Sequence, residues 1–103
     1  MATSPIEKIT GTWESVSISA ESTVGQISAY KNDALKLAVI NYNSSANTNV
    51  EASISLPASI YPKFSIAAAL RGDGYLNVSS VTNKLSIICP NKYSPGSIVY
   101  VIN

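Results

Sequence analysis

The chain contains no histidine, a single cysteine and few charged residues. Its 103 residues include seven basic and six acidic groups, which gives a net charge of +1. The commonest catalytic base and the commonest metal ligand are therefore missing, and Cys89 alone excludes an internal disulfide. A net charge this close to zero gives no electrostatic basis for binding nucleic acid or an anionic membrane. These absences disfavour enzymes and metalloproteins, and we expect neither a cofactor nor a metal site.

Long hydrophobic runs are missing as well. The longest runs, such as residues 66–70, fall far short of the roughly 20 apolar residues that cross a bilayer. Residues 1–8 contain no basic segment followed by an apolar one, so we expect no signal peptide. The length allows one domain, predicted to span residues 10–103 after a lead-in or linker at residues 1–9.

The residues that are abundant favour β structure. Ser, Thr and Asn together supply 32 residues, and Ile and Val supply 20. Apolar and polar residues alternate with period two along most of the chain. This alternation predicts about eight strands, near residues 12–19, 24–31, 34–42, 50–56, 63–70, 75–81, 85–89 and 98–102. The spacing is typical of an all-β sandwich or barrel, with one short helical turn possible at residues 58–61.

Two features do not fit an isolated sandwich. The strand at residues 34–42 is apolar on both faces, which in an antiparallel fold calls for a second burial partner. Trp13 is out of phase with Val16 and Ile18, so it lies on the polar side of its strand and needs cover from a loop, a subunit or a ligand. Oligomerisation would explain both features.

No catalytic constellation is visible. Cys89 precedes Pro90 at a strand end and is interpreted as a small buried residue. The six carboxylates are scattered over different elements, although a glycosidase pair or a Ser–Lys pair could still meet in space. The tripeptide at residues 71–73, Arg-Gly-Asp, matches the motif that integrins bind, but it also has the residues that a hairpin turn requires, and we favour the turn.

The aromatic residues suggest saccharide binding. Six tyrosines and one tryptophan outnumber the single phenylalanine, and Tyr42, Tyr61, Tyr75 and Tyr93 fall at predicted loop edges. Sugar rings stack their C–H faces on aromatic planes, while their hydroxyls bond to amide, carboxylate and hydroxyl groups. Tyrosine and tryptophan suit such sites because each combines an apolar face with a polar tip. The alternative is that these side chains only cover the ends of the sheets.

The order of motifs resembles a known family. A tryptophan opens the first strand, and a doubly apolar strand follows a hairpin. Next come Ile-Ser-Leu-Pro at residues 54–57, a second proline at Pro62, Tyr-Leu-Asn-Val-Ser at residues 75–79, and a terminal strand after residues 93–96. Over residues 10–103 this pattern is similar to the C-terminal head domain of receptor-binding proteins and tail fibres of phages that infect Gram-positive bacteria.

The resemblance implies a fold, an assembly and a role. The fold would be a compact antiparallel β-barrel or jelly-roll-like sandwich that forms a homotrimeric head at the baseplate tip. The head would bind host cell-wall polysaccharide without catalysis, and its N-terminal side would attach to other tail proteins of the virion. The protein would be made in the host cytoplasm. Some heads of this type use histidine at the sugar, which this chain lacks.

The candidate saccharide-binding residues come from three places. Trp13 is the predicted stacking platform, and Arg71, Asp73 and Tyr75 are predicted to line a site from a turn. Tyr42 and Asn43 are further candidates from the loop after the third strand. Two other functions stay open at this point. One is a structural β-sandwich subunit of a virion or surface assembly, and the other is a monomeric carbohydrate-binding module.

Overall fold

The computed structural model describes residues 12–20, 24–44, 50–71, 73–90 and 95–103. The predicted lead-in at residues 1–9 and the glycine at position 72 lie outside the described residues. The described ranges contain eight strands: β1 (Glu14–Val16), β2 (Gln26–Asn32), β3 (Leu37–Asn43), β4 (Val50–Ser55), β5 (Ile66–Ala69), β6 (Tyr75–Val78), β7 (Lys84–Cys89) and β8 (Pro95–Val101). A 3-10 turn, Ala58–Ile60, lies between Pro57 and Pro62. The all-β prediction is confirmed.

The strands form two antiparallel sheets that pack face to face. The first sheet has the order β1-β2-β3-β8 and the second has the order β4-β7-β6-β5. Alternate side chains of each strand point inward, so Ile40 of the first sheet and Leu76 and Ile87 of the second are fully buried between the sheets. The β-branched residues and leucines counted in the sequence thus supply one sandwich core.

Strand boundaries differ from the predicted ones by up to three residues, and two of these differences have a visible cause. The third strand begins at Leu37 because the chain turns before it: Lys36 has a φ of 57°, and the Leu35 N–H donates to Asn32 Oδ1 over 3.1 Å. The last strand begins at Pro95, three residues earlier than predicted, because Pro95 pairs with Asn43 at the end of β3. Turn chemistry and long-range pairing set these ends.

The segment before β5 is also different from its prediction. The alternation places Phe64 in a strand, but β5 starts only at Ile66, and the Phe64 side chain is 62% exposed. The Lys63 N–H donates to the Val101 carbonyl over 2.8 Å, which ties the start of this segment to β8, and Ser65 Oγ accepts from the Ser80 N–H over 2.9 Å at its end. Phe64 therefore contributes little to the core.

One flank of the sandwich is closed by main-chain contacts, and we call it the closed flank. Arg71 N–H donates to the Pro95 carbonyl over 3.3 Å, and Asn103 N–H donates to the Tyr61 carbonyl over 3.2 Å. A further bridge joins Pro62 to Ile102. These contacts cover the outer edge of β8. The opposite flank, bordered by β1 and β4, is called the open flank.

Two buried tyrosines are expected to make the folded chain less stable at alkaline pH. Burial raises the pKa of Tyr100 and of Tyr42 above 10, and the Tyr100 hydroxyl donates to the Ile60 carbonyl over 2.8 Å. Below about pH 10 both groups are protonated in the folded and unfolded states, so they add no pH dependence. Above it the unfolded chain releases protons that the folded chain keeps, and stability falls.

We therefore expect the free energy of unfolding to fall above pH 10, by about 1.4 kcal/mol per pH unit for each tyrosine held protonated. Urea denaturation between pH 8 and pH 11.5 measures this slope. The Tyr100→Phe variant is expected to show a shallower slope, and it loses about 1 kcal/mol at neutral pH with the bond to Ile60. An unchanged slope in that variant would refute the assignment.

Candidate functional site

The hairpin that joins β5 to β6 presents polar side chains at one end of the sandwich. The Leu70 N–H donates to the Gly74 carbonyl over 2.8 Å and closes the hairpin. Asp73 has a φ of 69°, the left-handed conformation that aspartate tolerates in tight turns. Arg71 and Asp73 are both exposed. The turn interpretation of the Arg-Gly-Asp sequence therefore agrees with the described part of this hairpin.

Tyr75 follows this hairpin on the outer face of the second sheet. Its side chain is 45% exposed, while the next residue, Leu76, points into the core. Across the strands, Tyr75 stands opposite Ala69 of β5 and Ile88 of β7. The small alanine leaves one side of the aromatic ring open to solvent. The ring therefore has an accessible apolar surface at the margin of the sheet.

Beyond these two apolar neighbours of Tyr75, polar groups stand at sheet spacing. Glu51 pairs with Ile88 and thus stands in the same row as Tyr75, two strands away, at about 10 Å. The neighbouring row contains Asn77 and Ser86, which face each other. We call this surface the Tyr75 face, and it comprises Glu51, Arg71, Asp73, Tyr75, Asn77 and Ser86. An aromatic plane with amide, hydroxyl, carboxylate and guanidinium groups around it can stack on a sugar ring and bond to its hydroxyls.

Three members of the Tyr75 face are missing from the sequence-based list. Asn77 lies two residues after Tyr75 in the same strand, so period-two alternation alone predicts that both side chains lie on the same face. Ser86 and Glu51 reach the surface through the pairing of β6 with β7 and of β7 with β4. Nothing in the local sequence specifies that register.

Tyr42 is not available to a saccharide. Its side chain is buried in the core, and its hydroxyl donates to the Val24 carbonyl. It lies on the inner face of β3 because side chains alternate along a strand, and Tyr42 has the same parity as the buried Ala38 and Ile40. The expectation that Tyr42 lies at a loop edge as a binding group is therefore wrong, since no face of its ring is free for stacking.

The remaining candidates lie at opposite ends of the molecule. Asn43 is exposed and pairs with Pro95, whose carbonyl accepts from Arg71, so Asn43 lies at the same end as the hairpin. Trp13, 44% exposed, precedes β1 near the turn between β2 and β3. The seven residues of β3, from Leu37 to Asn43, separate these ends by about 20 Å. Trp13 therefore does not share a site with Arg71, Asp73 and Tyr75.

A second surface covers the outer side of the first sheet. The outward positions of β2, β3 and β8 carry no charged side chain, and we call this surface the uncharged face. One half is apolar and the other half is polar. The apolar half comprises Tyr30, Leu37, Val39, Val99 and Val101, and the polar half comprises Gln26, Ser28, Asn41, Asn43 and Ser97.

The register keeps the two halves in separate rows. Tyr30, Val39 and Val99 face one another across three strands. Two residues along, Asn41 stands opposite Ser97, whose hydroxyl donates to Asn41 Oδ1 over 2.6 Å. Tyr30, Val99 and Val101 remain exposed in the single chain. The apolar residues on the inner side of β3 are thus explained by the core. Those on its outer side have no burial partner within the described part of the chain.

In the ranges that the structure describes, no helix is both long and apolar enough to cross a membrane. The same ranges contain no group of three or more side chains of the types that hold a metal ion.

Comparison with known proteins finds no matching family model, no matching curated sequence and no matching solved structure. The resemblance to phage receptor-binding heads stays a prediction.

Proposed function

We propose that this chain is a non-enzymatic adhesion domain, the receptor-binding head of a phage tail tip, which binds a neutral polysaccharide of the Gram-positive cell wall. The observation that carries the proposal is the exposed ring of Tyr75 on a flat sheet surface with polar groups around it. The order of motifs along the sequence supports the phage origin. The virion is the proposed location, with other tail proteins bound on the N-terminal side.

The mechanism assigns different tasks to the groups of the Tyr75 face. The ring of Tyr75 stacks on one face of a sugar unit, and Asn77 and Ser86 in the next row bond to its hydroxyls. Arg71 and Asp73 reach the sugar from the hairpin. A shallow surface of this kind binds each unit weakly, because little area is buried.

Assembly into a homotrimer, which we also propose, raises the effective affinity. Three equivalent sites on one polysaccharide gain about 10²- to 10⁴-fold over a single site when the geometry allows simultaneous binding. The uncharged face supports this assembly, because buried centres of interfaces are poor in charge and copies of this face meet without like-charge repulsion. The uncharged face also lies on the sheet that does not carry Tyr75.

Replacement of Tyr75 by alanine tests the proposed site. We expect Tyr75→Ala to lower the affinity for soluble wall-polysaccharide fragments at least about tenfold, because the stacking surface is removed. The Tyr75 side chain lies outside the core, so the free energy of unfolding is expected to change little. Isothermal titration with fragments released from Gram-positive walls measures the affinity, and urea denaturation measures the stability.

Phe64→Ala is the matched control, since it removes an even more exposed aromatic ring that lies outside the Tyr75 face. It is expected to bind as the unchanged chain does. Trp13→Ala belongs in the same titration. If Trp13→Ala loses binding and Tyr75→Ala keeps it, the saccharide is bound at the opposite end of the molecule and the Tyr75 assignment is wrong.

The second candidate function is a structural subunit of a virion or surface assembly, and the uncharged face favours it. In that case the chain assembles through its first sheet and binds no saccharide. Solution mass together with polysaccharide binding separates the candidates. A trimer that binds supports the head, an oligomer without binding supports the structural subunit, and a monomer that binds supports an isolated carbohydrate-binding module.

A further inference from the structure

The outer edge of β4, on the open flank of the sandwich, is the longest uncovered strand edge among the described residues. β1 contains three residues and β5 contains four, so both offer short edges. The edge of β8 is covered by the contacts of the closed flank. β4 is six residues long, and among the described residues no strand pairs with its outer side.

A groove runs beside this edge. Residues 52–55 of β4 form one wall, and Ser19, Ala20 and Val24 form the other. The groove encloses about 450 Å³. The groove runs along four consecutive residues of β4, a length of about 13 Å in an extended strand. An extended segment laid in this groove would lie beside the outer edge of β4.

We propose that β4 accepts an extended peptide segment of a partner protein as a fifth strand of the second sheet. An edge strand presents every second N–H and C=O to the outside, and these groups bind an extended peptide through main-chain hydrogen bonds. The groove is the space that such a strand would occupy.

The residues that line the groove indicate which side chains of a partner segment would fit. Residues of the peptide that point inward meet Val24 and Ile54, so small apolar side chains fit there. Residues that point outward lie beside Ser53 and Ser55 and are polar. Glu51, the only charged residue of β4, favours a lysine or arginine near one end. The partner segment is therefore an alternating small-apolar and polar strand with one basic residue.

The probe is a fluorescein-labelled, end-capped synthetic peptide, Val-Thr-Val-Thr-Val-Lys, measured by fluorescence anisotropy against the full chain. Two further versions carry N-methyl groups on alternate residues, one set on each side of the peptide backbone. Strand addition predicts that one methylated set weakens binding more than about tenfold, while the other set binds as the parent peptide does. Amide exchange of residues 50–55 is expected to slow when the parent peptide is bound.

Charge reversal tests the orientation of the side chains. Glu51→Lys is expected to weaken the lysine peptide about two- to fivefold and to strengthen a version that ends in glutamate by a similar factor. Glu14→Lys, the same charge change on β1, is the control and should leave both affinities within about twofold. No binding of the parent peptide at millimolar concentration overturns the proposal. So does equal sensitivity to both methylated sets, or self-association of the chain through β4. Tyr75→Ala leaves β4 unchanged and is expected to bind the peptide as the unchanged chain does, so failure of this proposal is distinguishable from failure of the proposed function.

Discussion

The Val99→Lys variant is expected to be a monomer under conditions in which the unchanged chain forms the proposed trimer. Val99 lies in the row of Tyr30 and Val39 on the uncharged face, and its side chain is 51% exposed in the single chain. Burial of an unpaired ammonium group in a subunit interface costs several kcal/mol, and each 1.4 kcal/mol weakens association tenfold. Light scattering at matched concentrations measures the mass of both proteins.

The Val81→Lys variant is the control for this result. Val81 is the most exposed large apolar side chain of the described residues and lies in the turn between β6 and β7, away from the uncharged face. The same substitution there is expected to leave the trimer intact. Urea denaturation of Val99→Lys must show a folded chain, and its outward, exposed position makes that the expected outcome. A Val99→Lys protein with unchanged mass would show that the uncharged face does not join the subunits.

The Gly74→Ala variant is expected to lose at least about 3 kcal/mol of folding free energy, a large part of the stability of a domain of this size. A Cβ atom at Gly74 would stand 2.4 Å from the Ile88 carbonyl oxygen and 3.2 Å from the Cα of Cys89. Both are backbone atoms of β7, so relief requires the strands to move apart. The hairpin that presents Arg71 and Asp73 would then be displaced as well.

Gly96→Ala provides the matched comparison. A Cβ atom there would stand equally close, at 2.4 Å, but to Leu70 Cδ2, the far end of a flexible side chain. Rotation of Leu70 relieves much of that contact, and we expect a loss of about 1–2 kcal/mol. Chemical denaturation gives both values. Equal losses for the two glycines would contradict the close backbone approach of β6 to β7 at Gly74.

The sequence was sufficient for the fold class because alternation is a local property. Ala38, Ile40 and Tyr42 alternate with Leu37 and Val39 in the sequence, and the structure places the first set inside and the second outside. The ends of the strands were less predictable. The start of β3 depends on the Asn32 side chain and on Lys36 in the turn, and the start of β8 depends on pairing with β3.

The candidate site was only partly predictable, for the same physical reason. Arg71, Asp73 and Tyr75 are close in sequence and belong to one hairpin. Glu51 and Ser86 reach Tyr75 through strand pairing between segments far apart in the chain. Tyr42 looked like a loop-edge aromatic because the strand was expected to end there, but the strand continues to Asn43 and the tyrosine points inward. Trp13 lies at the other end of the first sheet, which only the antiparallel register shows.

The most direct test of the account is a pull-down of the unchanged chain on purified cell walls from a panel of Gram-positive strains, before and after chemical extraction of the wall polysaccharide. The account predicts that untreated walls of at least one strain retain the chain. It predicts that extracted walls do not, and that Tyr75→Ala is not retained by either. If no untreated wall retains the chain, or if extracted walls retain it equally, the chain does not act as a saccharide-binding head.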